Sequence, residues 1–370
     1  MSKAAELANL IGNINAGGGG VNRNLIINGA TNVAQRGTSS TGIGASSGYF
    51  TCDRWLFGRE AGTEQARFTM TQDTASVGID SLPFQEAGIR TALKMDVTTA
   101  ESAVASGESS LIMQRIEGFN CSNLDIKNKP ITLSFYAKSD AKTGTMCASL
   151  YAGSGGRHHV KEYSITTDWQ RFSLTFPADS GATALARDNT NELQVNFVLT
   201  AGSNFQVTAD QWASGFDTAT SNQINFADST DNNWYLTGVQ LEVGQNPTEF
   251  ERINNFGEEL AKCQRYFYRY VEGNSKSIMT ASAILANHIQ GNINFPTTMR
   301  STPSLATSSG TNYWEIYAGG SYRFDSLSGQ QFHTNGCTLL KVNDITISEG
   351  DSCITYTSNA ACTIDLNAEL

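Results

Sequence analysis

At 370 residues and 39.9 kDa the chain is too long for one core of ordinary size, so two domains plus tails are expected and a small single-motif protein is excluded. Hydrophobic residues make up 39% and charged residues 16%; much of the rest is Gly, Ser, Thr, Asn and Gln, a balance that suits sheet and loop better than helix. The formal charge of -10 and pI near 4.9, with no Lys/Arg-rich run to offset them, exclude nucleic acid as a partner.

Read from the start, Ala4, Leu7, Ile11 and Ile14 recur at the spacing of a coiled-coil seam, with Lys3, Glu6, Asn9 and Asn13 off it. A helix this short is marginal alone, so it is expected to order against identical copies or a larger assembly, the other reading being a frayed amphipathic tail. Glu6 falls where a signal peptide needs its apolar run, and no stretch approaches the roughly 18 apolar residues of a membrane helix, so neither classical export nor membrane insertion is expected. Gly17 to Gly20 read as a swivel and not a phosphate loop, because no strand precedes them and no G-K-[ST] follows. Residues 1–20 are therefore expected to form an anchoring tether.

From Asn24 the pattern turns to period two. In Ile131 to Lys138 the residues Ile131, Leu133, Phe135 and Ala137 point one way, and Thr132, Ser134, Tyr136 and Lys138 the other, which predicts a strand with one buried face. The alternation recurs in Met146 to Leu150, Phe172 to Phe176, Leu193 to Leu199 and Tyr235 to Val243. Strands joined by polar turns without helical patterns between them predict an antiparallel sandwich. Long connections such as Asp179 to Asn191 fit jelly-roll crossings better than a meander. The predicted fold is mostly β: a jelly-roll β-sandwich over 21–252 and a smaller C-terminal β domain over 253–370.

That second domain opens on Asn255, with Glu258 three residues on, and on Phe256, Leu260, Cys263 and Phe267 as one apolar stripe of a helix of about three turns. Strands are expected at Ile289 to Phe295, Tyr313 to Ala318, Thr338 to Val342, Ile345 to Ile347 and Ile354 to Thr357. The seven Cys show wide spacings and no C-x-x-C pair, and read as scattered, half-buried thiols rather than a disulfide framework or zinc site; assembly in a reducing cytoplasm fits this.

Specific strings add a resemblance. Asn24-Leu25-Ile26-Ile27-Asn28-Gly29, the strand Ile131 to Lys138, Thr167-Asp168-Trp169-Gln170-Arg171-Phe172 and Trp234 to Glu242 resemble, in that order, landmarks of jelly-roll carbohydrate-binding modules. Asn32-Val33-Ala34-Gln35-Arg36-Gly37, Asp53-Arg54-Trp55, Gln114-Arg115-Ile116-Glu117-Gly118, Gly238 to Gly244 and Glu259 to Tyr266 look like a family of bacteriophage tail-fibre and receptor-binding proteins, and Phe295 to Arg300 with Pro303 resembles the start of their terminal β domain. The resemblance implies a virion component, commonly a homotrimer, held to other phage virion proteins by its N-terminus and meeting host surface polysaccharide. A head-decorating fibre or a tail adaptor is the alternative within virions, and a polysaccharide-degrading enzyme the alternative of another class. Carbohydrate-binding jelly rolls often carry a structural calcium, which would put Asn28 and Glu242 in range, against a reading of Glu242 as an outward-facing strand residue; no other cofactor is implied.

No enzyme is expected. Gly44-Ala45-Ser46-Ser47-Gly48 matches G-x-S-x-G but sits in a polar loop without the strand and helix that a nucleophile elbow requires. His158 and His159 are neighbours, which on a strand point to opposite faces, and read best as solvated loop histidines after Gly155-Gly156. Sugars are read by aromatic faces and by amide or hydroxyl hydrogen bonds. Tyr136, Tyr151, His158, His159 and Tyr163 are therefore ligand candidates in the sandwich, and Tyr313, Trp314, Tyr317, Tyr322 and His333 in the terminal domain; Trp55, Trp169 and Trp234 are expected to pack.

Overall fold

The computed structural model describes residues 2–15, 23–60, 65–74, 84–121, 124–251 and 255–370. The glycine run Gly17 to Gly20 lies outside the described residues, as does the side chain of Ile14. The chain divides into two units, Met1–Glu259 with Leu370, and Leu260–Glu369.

Unit 1 begins with helix α1 (Lys3–Asn15), where Ser2 Oγ accepts from Ala5 N as an N-cap. Leu7 and Ile11, on the predicted seam, are 57% and 50% exposed, so these two have little cover among the described residues. A four-residue helix, α2 (Phe84–Ala87), and two short 3-10 turns, Gly118–Cys121 and Ser203–Phe205, are further helical pieces of this unit.

The strands of unit 1 are β1 (Ser39–Ile43), β2 (Gly48–Tyr49), β3 (Leu56–Glu60), β4 (Arg67–Asp73), β5 (Ala92–Thr99), β6 (Ser109–Glu117), β7 (Ile131–Ser139), β8 (Gly144–Ala152), β9 (Arg157–Ile165), β10 (Gln170–Phe176), β11 (Asn191–Ala201), β12 (Trp212–Ser214) and β13 (Asn233–Val243). They form two sheets, ordered β1-β4-β5-β13-β7-β10 and β12-β9-β8-β11-β6-β3-β2, with antiparallel pairing throughout. The chain changes sheet between β5 and β6, β6 and β7, and β7 and β8, so the last strand, β13, closes between β5 and β7. This is a jelly-roll sandwich, and the stretch from Asp179 to Asn191 is one of its crossings. Between the sheets lie Trp55, Leu133, Phe135, Phe197 and Trp234, each fully buried; Phe135 meets Phe197 edge-on at 4.9 Å.

The single buried face predicted for β7 is corrected. Thr132, Ser134 and Tyr136 on its other face are also buried: residues 244–248 run back over Thr132 and Ser134, and Phe84 and Phe250 pack on Tyr136. Thr132 Oγ1 donates to Gly244 O at 2.8 Å, Thr175 Oγ1 to Gln245 O at 3.0 Å, and the Arg171 guanidinium to Thr248 O. Periodicity reports hydrophobic faces; it does not report a polar face covered by hydrogen-bonded chain.

Helix α3 (Phe256–Gln264) carries the division between units within it; Asn255 Oδ1 caps it by accepting from Gly257 N at 2.9 Å. It ends earlier than predicted, and Phe267 begins a strand instead. Unit 2 contains β14 (Phe267–Glu272), β15 (Ser277–Leu285), β16 (His288–Asn294), β17 (Ser304–Thr307), β18 (Trp314–Tyr317), β19 (Ser321–Phe324), β20 (Ser328–His333), β21 (Gly336–Val342), β22 (Ser352–Thr357) and β23 (Thr363–Asn367). A three-stranded sheet, β14-β23-β17, and a seven-stranded one, β19-β18-β22-β15-β16-β21-β20, enclose Trp314, Ile316, Leu339, Ile364 and Leu366. Ile345 to Ile347, predicted as a strand, is irregular chain whose two isoleucines are buried by packing alone.

All seven cysteines are free thiols and all are buried, more deeply than predicted; burial pushes Cys52 and Cys121 up to about 12 and Cys337 up to about 11.

Candidate binding cleft

The site begins with residues 24–34, which cross the outer side of β13. Leu25 N donates to Leu241 O and Val239 N to Gly29 O, both at 2.9 Å. Asn24 extends this pairing with its side chain: Nδ2 donates to Val239 O at 3.1 Å and Oδ1 accepts from Leu241 N at 3.1 Å. Gly29 is needed where the two backbones meet, since a Cβ there would lie 2.2 Å from Val239 O. Asn28 turns the chain in the left-handed conformation (φ 58°), and its side chain is spent on Val33 N, Val33 O and Asp53 O at 2.8 to 3.0 Å.

This turn is the floor of a cleft of about 360 Å³ in unit 1. One wall is Gly88 to Thr91; Thr91 Oγ1 reaches Ala30 O at 2.9 Å and Asn32 Oδ1 at 3.1 Å, tying wall to floor. Phe250, Glu251, Phe256 and Glu259 form the other wall. Glu251 accepts from Asn24 N at 2.8 Å, and Glu259 from Asn28 N, so both carboxylates hold the backbone of the floor. Phe256 is 59% exposed, Arg90 is exposed, and Asn32 Nδ2 has no protein partner among the described residues. An aromatic face, a guanidinium and an amide donor thus border one concavity whose backbone is fixed by hydrogen bonds. Such a set has the chemistry to meet the C–H face and the hydroxyls of a polyhydroxylated ring.

The residues expected from sequence are not gathered here. Tyr136 is buried against Phe84, edge-on at 5.0 Å, and Tyr163 is buried in the main core with its hydroxyl 3.8 Å from Met146 Sδ. Neither offers a face to a ligand; desolvation raises both phenols above their usual range. His158 and His159 belong to strand β9, not to a loop, and are 1% and 0% exposed. They do point to opposite faces: His158 Nδ1 lies 3.0 Å from Gly215 O, while His159 sits between Phe176 and Trp212 at 5.2 Å from each. Tyr151 is half-buried, edge-on to Phe216. In unit 2, Trp314 is fully buried core and Tyr313 half-buried beside it, whereas Tyr317, Tyr322 and His333 are exposed. Trp55 and Trp234 pack as predicted, and Trp169 lies half-buried against Phe84.

The residues suggested for calcium serve other networks. Glu242 is fully buried, accepting from Thr248 N, Thr248 Oγ1 and Gln240 Nε2, with Arg23 at 3.7 Å. These donors occupy the carboxylate, and Asn28 is engaged with Val33 and Asp53, so the two do not form a shared oxygen cage. The segment at Ser46 runs from strand through turn to the short β2, without a helix after it.

Burial holds the His159 imidazole down at about 4 against its ordinary 6.5. The unfolded chain therefore takes up this proton first. Stability should fall as the pH drops from about 6.5 toward 4 and level off below that, where both states are protonated. Thermal melts of the wild type and His159→Phe across this range should show a shallower decline in the variant.

No family model matches the chain, and no curated protein matches it. Among solved structures it is similar to the family 11 carbohydrate-binding module from Clostridium thermocellum, whose structure holds a mixed-linked tetrasaccharide: 10% identity, 57% of this chain and 98% of that one, TM-score 0.28. A xylan-binding domain from Paenibacillus barcinonensis matches at 10% identity over 52% of this chain and 87% of that one, TM-score 0.26. The enzymatically active domain of tailspike protein 4 from bacteriophage CBA120 matches at 14% identity over 51% of this chain and 19% of that one, TM-score 0.26. These scores are too low to carry function across.

Proposed function

We propose that this chain is a bacteriophage virion protein, a homotrimeric tail fibre or receptor-binding protein that attaches to host surface polysaccharide. The cleft of unit 1 carries the binding part of this reading: Phe256, Arg90 and Asn32 border one concavity of a rigid β-sandwich. The ordered strings from Asn32 to Tyr266 support the phage part. The exposed Leu7 and Ile11 of α1 supply a seam for like helices, and three weak sites on one particle would act together. Binding without turnover is the role proposed, because Glu251 and Glu259 in the cleft are committed to backbone donors instead of facing each other as an acid and a base.

In the test, labelled full-length protein is offered to host cells and to their purified surface polysaccharide. Arg90→Ala and Phe256→Ala should each weaken binding by about tenfold or more, the loss of one good contact, with the melting temperature unchanged and light scattering returning a trimer. Undiminished binding by both variants would remove the cleft from the reading. A lack of any host binding, with tight association to a capsid or tail protein, would favour the adaptor role.

A further inference from the structure

Unit 2 holds a second concavity of different chemistry, independent of the cleft. Asn292 and Asn294 of β16, Gln331 and His333 of β20 and Thr338 of β21 line a pocket of about 210 Å³. No charged side chain lines it, whereas the unit 1 cleft contains Arg90 and two carboxylates.

Thr338 is buried, and its hydroxyl lies 2.7 Å from Asn292 Oδ1 and 3.0 Å from Gln331 Oε1. A hydroxyl carries one hydrogen, so it donates to one of these carbonyls only. Either the other carbonyl stays open, or that amide is turned and offers its carbonyl outward; in both arrangements an acceptor and amide N–H donors remain for a ligand. His333 Nδ1 accepts from Asn335 N at 3.2 Å, which leaves Nε2–H of the neutral ring as a further donor. Gly336 lets β21 approach β16 closely at the edge of the pocket: an ideal Cβ there would stand 2.6 Å from Ile293 O.

The backbone is distorted in the same place. Pairing between β20 and β21 breaks register between Gln330 and His333, and Gln331 sits at φ 53°, in the left-handed region that costs a side chain with a Cβ. A bulge of this kind re-aims a side chain, and here it brings Gln331 onto Thr338. Glycine would suit this conformation better, yet the position holds a glutamine whose amide lines the pocket.

We infer that this pocket is a binding site for one neutral, hydroxyl-rich sugar ring, read by the amides of Asn292 and Gln331 around the Thr338 hydroxyl. The volume suits a single ring, and the uncharged lining offers no counter-charge to a phosphate or a uronate.

The test is saturation-transfer NMR on the full chain with methyl α-glucoside, methyl β-galactoside, methyl α-mannoside and N-acetylglucosamine, with glucuronate as the charged control. At least one neutral probe should saturate and glucuronate should not. Asn292→Ala, an exposed change, should weaken that binding by about tenfold, as should Gln331→Gly, and the glycine variant should also melt at a higher temperature because the strain is relieved. In the Phe256→Ala background, where the unit 1 cleft is weakened, the signal should persist and remain sensitive to Asn292→Ala, so the two sites fail separately. Absence of saturation by all four neutral probes, equal saturation by glucuronate, or binding indifferent to both Asn292→Ala and Gln331→Gly would overturn the inference.

Discussion

Replacing Leu133 by aspartate should leave unit 1 unfolded at room temperature. Leu133 is fully buried, opposite Leu174 on one side and Leu241 on the other. The change removes an apolar side chain, at about 2 to 5 kcal/mol, and buries a carboxylate with no cation to meet it, at several more. Those losses together rival the roughly 5 to 15 kcal/mol that holds a domain folded. Thr132→Asp should be nearly as severe, although Thr132 reads as a solvent-facing position in the sequence. Its side chain is fully buried, and a carboxylate there would face the carbonyl oxygen of Gly244 in place of a hydroxyl that donates to it. Circular dichroism and denaturant titration of both variants check this; a Thr132→Asp protein of wild-type stability would mean that residues 244–248 do not cover the sheet.

Glu242→Ala should cost about 3 to 5 kcal/mol, the loss typical of breaking a buried charged network from one side. The variant leaves Thr248 N without its acceptor, removes one of the acceptors around Gln240 Nε2, and takes from Arg23 its nearest carboxylate. Because the segment held by Thr248 also covers the outer face of β7, the damage should spread to the aromatic cluster of Phe84, Tyr136, Trp169 and Phe250, visible as increased quenching of tryptophan fluorescence by acrylamide. Millimolar calcium should not raise the melting temperature of the wild type. A calcium-dependent rise that the variant lacks would reinstate a metal at this position.

Alternation located some strands and missed others: β7, β8, β10, β11 and β13 stand where it places them, whereas β4 and β5, whose buried residues also alternate, went unread. What alternation does not encode is what lies over the other face. Tyr136 reads as polar-facing because its strand neighbours are Thr132, Ser134 and Lys138, yet Phe84 and Phe250, distant in sequence, cover it. His158 and His159 follow two glycines and so read as loop, although the glycines make the turn and the histidines already belong to β9. For the cleft, Asn24 to Gly29 is visible as a string, since each residue has a fixed backbone task. Arg90 leaves no pattern, and Phe256 reads as one more member of a helix stripe; only coordinates show that this first-turn ring is left uncovered. The amide pocket of unit 2 was illegible for a similar reason, as its lining comes from three strands of one sheet.

The seven sequestered thiols bear on chemical durability. Nucleophilic sulfur is the thiolate, and at neutral pH a group displaced to about 12, as for Cys52 and Cys121, supplies almost none of it, behind a wall of packed side chains. Dissolved oxidants and added disulfides should therefore leave the covalent structure of the folded chain as it is, with neither scrambled crosslinks nor sulfenic adducts. The fold thus resists oxidation by sequestering its sulfur, without a single disulfide.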